Sequence, residues 1–271
     1  MRALLAAEAG QKGKPNEDWG GATLGAAVVL DGLSAPRGAG TGCSHGIPWY
    51  VAQLGSRLLA SAEHTQTSLA GALALAIREV AALHPQCDLS HPGTPSAAVA
   101  VIRRMPDIVD YLVLADTVIT LRNPNGLTTT ITDDRVDHIA DEARSAALNA
   151  PIGSEYHRKA VAKLVDVQRP LRNTPEGYWV AATDPIAAEH AIIGSLTSDS
   201  VQDATLMSDG ASRYVDLFNL ASWSDTLDLL RDAGPGEIIR LVREQEKSDP
   251  DGNLWPRYKY ADDATAIYVQ W

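Results

Sequence analysis

The chain has 271 residues, 45% of them hydrophobic, with a formal net charge of -11 at pH 7. That length suits one large domain or two small ones; the acid excess argues against a nucleic-acid or anionic-membrane partner, and no apolar run approaches a membrane span. Cys43 and Cys87 are the only cysteines, which gives neither a disulfide framework nor a paired Cys-x-x-Cys zinc site and fits a reducing cytoplasm.

Met1 to Ala9 is too short and too poorly flanked for a signal peptide and reads as an opening strand. Gly25 to Leu30 reads as a buried strand stopped by Asp31-Gly32, followed by a loop of small residues from Ser34 to Gly46. Ile47 to Ala62 carries Val51, Leu54, Leu58 and Leu59 on one helical stripe, and Ser68 to Leu83 continues in the same period. Strands are expected at Ser96–Arg103, Asp110–Leu114, Val118–Leu121 and Leu127–Thr132, as an antiparallel meander, with Asn123-Pro124-Asn125-Gly126 turning the last hairpin. Asp133 to Leu148 reads as a helix capped by Asp133 or Asp134. Tyr178–Ala182 and Ala204–Met207 read as strands, Asp225–Ala233 and Gly236–Gln245 as helices, and Ala264–Val269 as a closing strand. Runs of strands between runs of helices predict a layered α+β fold rather than a doubly wound parallel sheet. No linker or repeat divides the chain, so residues 1–271 are expected to form one domain.

Several carboxylates share one position, beside an apolar strand. Asp31 follows Ala-Ala-Val-Val-Leu, Asp116 follows Tyr-Leu-Val-Leu-Ala, Asp209 follows Ala-Thr-Leu-Met-Ser, and Asp262 precedes the last strand. Glu17-Asp18 lies in a polar turn before another apolar segment. A single Asp-Gly after a strand is ordinarily a plain turn. Recurrence is what carries weight: carboxylates converging on one sheet edge repel one another, and hard divalent cations with oxygen ligands remove that repulsion.

The order of these motifs resembles the metal-dependent protein phosphatases of the PPM, or type 2C, family. Pro15-Asn16-Glu17-Asp18 resembles its Asn-Glu-Asp motif, and Val28 to Gly32 its strand with Asp-Gly. Gly93-Thr94-Pro95-Ser96 and Leu114-Ala115-Asp116-Thr117 are similar to its Gly-Thr and Gly-Asp-Ser segments. Leu206 to Gly210 and Asp262-Asp263-Ala264-Thr265 are similar to its Ser-Asp-Gly and terminal Asp-Asn-x-Thr motifs. The resemblance implies a four-layer α-β-β-α sandwich, two mostly antiparallel sheets flanked by helix pairs. It also implies a cytoplasmic signalling hydrolase that removes phosphate from phosphoserine or phosphothreonine of a phosphoprotein. The cofactors would be two Mn²⁺ or Mg²⁺ ions, with a weaker third. Asp31 would bridge two ions, with Glu17 and the Gly32 carbonyl on one, Asp209 and Asp262 on the other, and Asp116 on the third. Asp31 and Asp209 would thus carry the chemistry, a water activated between two metals, with Asp18 and Asp263 as supporting carboxylates.

The chain also departs from that pattern. Gly13 stands where relatives carry a phosphate-binding Arg, which makes Lys14 a candidate point charge for substrate phosphate. Leu33-Ser34-Ala35 replaces the usual residues after Asp-Gly, and His45 is a candidate to approach the site instead. Asp263 stands where Asn is usual, Ala115 where Gly is usual and Thr117 where Ser is usual. His64, His84, His91, His138, His157 and His190 show no zinc spacing. Two alternatives therefore stand beside the protein phosphatase: a non-catalytic phosphatase-like binding module, and a small-molecule phosphoesterase.

Overall fold

The computed structural model describes residues 1–34 and 40–271; Ala35 of the altered Asp-Gly loop lies outside them. Strands β1 (Arg2–Glu8), β2 (Trp19–Ala22) and β3 (Ala26–Gly32) lead into helices α1 (Ile47–Ala62) and α2 (Leu69–Ala82). Strands β4 (Ala97–Arg104), β5 (Ile108–Leu114), β6 (Val118–Arg122) and β7 (Thr128–Ile131) precede α3 (Asp141–Leu148) and α4 (Glu155–Gln168). Then come β8 (Ile192–Thr197), β9 (Asp203–Met207), α5 (Asp209–Asp216), α6 (Trp223–Ala233), α7 (Pro235–Ser248) and β10 (Ala264–Gln270). Two five-stranded sheets result, in the orders β1-β10-β9-β6-β7 and β2-β3-β4-β5-β8. Every strand pair is antiparallel.

The layers follow from strand periodicity. Along β3, Ala26, Val28 and Leu30 face a core built with Leu54, Leu58, Leu73 and Ile77 of α1 and α2. The alternate residues Ala27 and Val29 face the other sheet, where Ile102, Val113, Ile119, Leu206 and Ile267 fill the space between the sheets. Met207, Ala266 and Tyr268 of the first sheet pack outward on Leu227, Leu230, Ile238 and Val242 of α6 and α7. The chain is thus an α+β sandwich with its two sheets in the middle. Helices α3 and α4 make a separate pair around Ala147, Ala160 and Leu164.

Several expectations need correction. The meander is split: β4 and β5 belong to one sheet, β6 and β7 to the other. The crossing falls at Ala115-Asp116, where Ala115 takes φ 65, a left-handed conformation for which glycine carries no Cβ penalty. The expected helix from Asp133 is a 3-10 turn, Arg135–His138, broken before α3 at Ala140 with φ 60. Neither Asp133 nor Asp134 caps α3, because Asp133 is buried and binds Arg135 through both oxygens. Tyr178 to Ala182 is no strand; it makes isolated bridges such as Ala97 with Ala181. Strands β2 and β8 and helices α4 and α5 are additional to the expected elements.

Candidate active site

Strand direction decides where the carboxylates meet. Because β3 and β5 both run antiparallel to β4, they end at the same edge. In the other sheet, β9 ends beside the start of β10, at Met207 opposite Ala266, and beside the start of β6, at Val118. Asp31, Asp116, Asp209 and Asp262 therefore emerge at one edge of the sandwich, although they are remote in sequence. Strand β1 ends there too, with Glu8 paired to Ala264, and delivers the Ala9 to Asp18 segment across it.

Hydrogen bonds fix this arrangement. The backbone N–H of Asp209, the first residue of α5, donates to Asp31 Oδ2 at 3.2 Å and links the two sheets. Ser208 Oγ donates to buried Asp18 Oδ2 at 2.7 Å and accepts from the Thr265 N–H at 2.9 Å. Asp263 accepts the N–H of Gly10 at 2.7 Å on Oδ1 and that of Glu17 at 2.6 Å on Oδ2. An asparagine has one carbonyl oxygen in place of this pair of acceptors, so Asp suits this chain. The Glu17 carboxylate accepts the Ser34 hydroxyl, and the Gly32 N–H donates to the Glu17 carbonyl at 3.1 Å. A Cβ on Gly32 would run into that carbonyl, and one on Gly210 into the Asp263 carbonyl, so glycine is required for close backbone approach at both.

Crowding leaves an electrostatic signature. Burial, then the charges of Asp209, Asp18 and Asp116, push the Asp31 carboxyl well above the ordinary carboxylate range. Burial, then Asp209, pushes Asp116 up to about 7. Burial pushes Asp18 up to about 8 against the opposing Ser208 hydrogen bond. Asp209 is raised by burial and by Asp262, although its side chain remains 41% exposed, so solvent screens part of that repulsion.

Asp262 behaves oppositely. Burial works to raise its carboxyl, but Lys259 and then Arg213 outweigh it and hold it below the ordinary value. Lys259 Nζ lies 2.6 Å from Asp262 Oδ1 and 3.2 Å from Ser34 Oγ. Arg213 lies 2.9 Å from Asp262 Oδ2, 3.2 Å from Glu246 Oε1 and 3.8 Å from Asp209. Arg213 had a readable signal, four residues beyond Asp209 on the same helix; Lys259 and Glu246 had none.

The oxygen donors Glu17, Asp31, Asp116 and Asp209 fit hard divalent cations, which would relieve the repulsion that raises Asp31, Asp116 and Asp209. Asp262 already has a cation on each oxygen. Neither candidate phosphate contact is bonded to these carboxylates among the described residues. Lys14 is exposed, with its N–H bonded to the Gln11 carbonyl at 3.1 Å in a turn, and its side chain makes no ion pair among the described residues. His45 stacks on Trp49 at 4.2 Å and faces Cys43 and Cys87, without a hydrogen bond to these carboxylates among the described residues.

The sequence model of protein phosphatase 2C matches residues 7–236. The chain belongs to the protein phosphatase 2C family. Solved structures with this fold include the serine/threonine phosphatase Stp1 from Staphylococcus aureus, at TM-score 0.56 and 13% identity over 99% of this chain and 94% of that one. The Mycobacterium tuberculosis phosphatase PstP/Ppp is similar at TM-score 0.55 and 15% identity, over 99% of this chain and 97% of that one. The catalytic domain of PstP in complex with manganese ions aligns at TM-score 0.54 and 17% identity, over 99% and 97%. No curated protein matches the chain by sequence. Membership supports a hydrolase of the protein phosphatase class with metal-binding capacity. No helix among the described residues is long and apolar enough to cross a membrane. Asp262 and β10 lie beyond the matched residues, yet β10 sits between β1 and β9, so this phosphatase sheet is incomplete without them.

Proposed function

We propose that residues 1–271 form one domain that hydrolyses phosphoserine or phosphothreonine in a phosphoprotein, with Mn²⁺ or Mg²⁺ held by Glu17, Asp31, the Gly32 carbonyl, Asp116 and Asp209. The observation that carries this reading is the convergence of Asp31, Asp116 and Asp209 on one edge, with carboxyl groups that repel one another. Divalent ions there would supply Lewis acidity, acidifying water and offsetting charge on the phosphoryl oxygens.

The chain's own groups do the positioning. Asp263 holds the Glu17 segment against the sheet through two backbone N–H groups. The Asp209 N–H orients Asp31. Of the two cations that the fold brings to the carboxylates, Arg213 is buried and Lys259, with a side chain 39% exposed, is the accessible one, so Lys259 replaces Lys14 as the group to meet substrate phosphate. His45 is not retained in that role. A cytoplasmic setting is consistent with free Cys43 and Cys87.

A second reading also has an observation behind it. Lys259 and Arg213 satisfy both oxygens of Asp262, so part of the site is neutralised by the protein itself, as in a phosphatase-like module that binds without turnover. Turnover of p-nitrophenyl phosphate with and without Mn²⁺, in wild type and Asp209→Asn, separates the two. Metal-dependent hydrolysis lost in Asp209→Asn supports the enzyme; equal rates in both proteins exclude it. A phosphopeptide compared with free phosphate esters then distinguishes a protein phosphatase from a small-molecule phosphoesterase.

A further inference from the structure

Helices α1 and α2 form an antiparallel hairpin, so the chain enters α1 and leaves α2 at the same end. The entering segment carries Cys43-x-His45 and the leaving segment carries His84-x-x-Cys87. The Asp88 N–H donates to the Gly42 carbonyl at 2.8 Å and ties the two segments together. Gly42, at φ 67, approaches Asp88 and His91 where a side chain would collide.

The four side chains close on one point. Cys43 Sγ lies 3.5 Å from His45 Nδ1 and 3.5 Å from His84 Nδ1, and Cys87 Sγ lies 3.6 Å from His45 Nδ1. All four donor atoms lie within 4.8 Å of one another. A tetrahedral ion with Zn–S near 2.3 Å and Zn–N near 2.05 Å has S···N edges of about 3.5 Å. The observed S···N distances match those edges. Isolated thiol–imidazole hydrogen bonds would pair the groups off. Here Cys43 faces two imidazoles and His45 faces two sulfurs, as a shared centre requires. Trp49 stacks on His45 at 4.2 Å and meets His84 edge-on at 4.8 Å, which holds both rings in place. His84 is buried.

We infer that Cys43, His45, His84 and Cys87 bind one zinc ion in a closed structural site. Two sulfurs and two imidazole nitrogens select zinc, whereas the oxygen-only edge at Asp31 suits magnesium or manganese. Four protein ligands leave no open position, so the ion works as a clamp. It would fasten the segment from Gly40 to Gly46 to the end of α2, and so anchor the far end of the loop that leaves Asp31-Gly32. The inference stands independently of the phosphatase reading.

Full-length protein, purified under reducing conditions without chelator and supplemented with Zn²⁺, is dialysed and its zinc measured by mass spectrometry. About one zinc per chain is expected for wild type and Asp31→Asn, and none for Cys43→Ser/Cys87→Ser. Cobalt(II) added to chelator-stripped wild type should give the intense visible bands of a tetrahedral ion with thiolate charge transfer, a readout that stands even if the double variant fails to fold. Zinc-free wild type without that cobalt spectrum, full zinc retention by the double variant, or a Cys43–Cys87 disulfide in the reduced preparation would overturn the assignment.

Discussion

Asp263 grips the backbone of Glu17: its Oδ2 accepts the Glu17 N–H at 2.6 Å while its Oδ1 takes the Gly10 N–H at 2.7 Å. One carboxylate thus fastens the segment after β1 to the start of β10 and sets where the Glu17 side chain stands. Asp263→Asn would turn an amide N–H toward one of these backbone donors. The expected cost is about 1–3 kcal/mol of stability by urea denaturation, since a charged acceptor is replaced and a donor loses its partner. A loss too small to resolve would show that the second acceptor is not needed.

Asp31 is the most crowded of the carboxylates, and removing its charge should separate stability from function. In metal-free protein, Asp31→Asn is expected to raise the melting temperature, because it relieves repulsion by Asp209, Asp18 and Asp116 while an amide oxygen can still accept the Asp209 N–H. In wild type, Mn²⁺ at about 100 times its Kd should stabilise the fold by about 2.7 kcal/mol. That gain should disappear in Asp31→Asn. An unchanged Mn²⁺ response in the variant would remove Asp31 from the metal site.

Lys259 neutralises Asp262 and reaches Ser34. Lys259→Gln should raise KM for p-nitrophenyl phosphate more than it lowers kcat, if the ammonium meets the substrate phosphate. It should also tighten Mn²⁺ binding, because the metal-site carboxylates Asp209 and Asp31 lose a neighbouring positive charge. Unchanged KM together with unchanged metal affinity would make Lys259 a bystander.

Buried Asp249 stands at the C-terminal end of α7. Burial works to raise its carboxyl, but the backbone N–H groups of Trp255, Leu254 and Asn253 and the Arg257 guanidinium outweigh it and hold it below the ordinary 3.8. A depressed folded-state value means that the unfolded chain takes up the proton first as pH falls. The stabilisation is therefore complete above pH 3.8 and is lost as pH drops through the lower folded value. Urea midpoints of wild type and Asp249→Asn should differ near neutral pH and converge below that point. A gap that stays constant throughout would assign Asp249 a purely steric role.

The helical stripe of α1, most of the strands and the carboxylates at strand ends were legible from residues alone, because periodicity and position after an apolar run are local properties. Strand β8 lies at a sheet edge with five of its six residues exposed, and α4 buries only His157, Ala160 and Leu164, so neither writes a clear apolar pattern. Asp31, Asp209 and Asp262 could be nominated in sequence; that they meet at one edge depends on strand direction in two different sheets. The same limit explains why Cys43, His45, His84 and Cys87 showed no zinc spacing. Their two pairs are separated by a helical hairpin, and only its antiparallel packing brings the halves together. Arg213 on Asp262, and Asp263 on the backbone of Glu17, are likewise decided by tertiary structure, because such partners are set by where distant segments meet and not by what stands next to them along the chain.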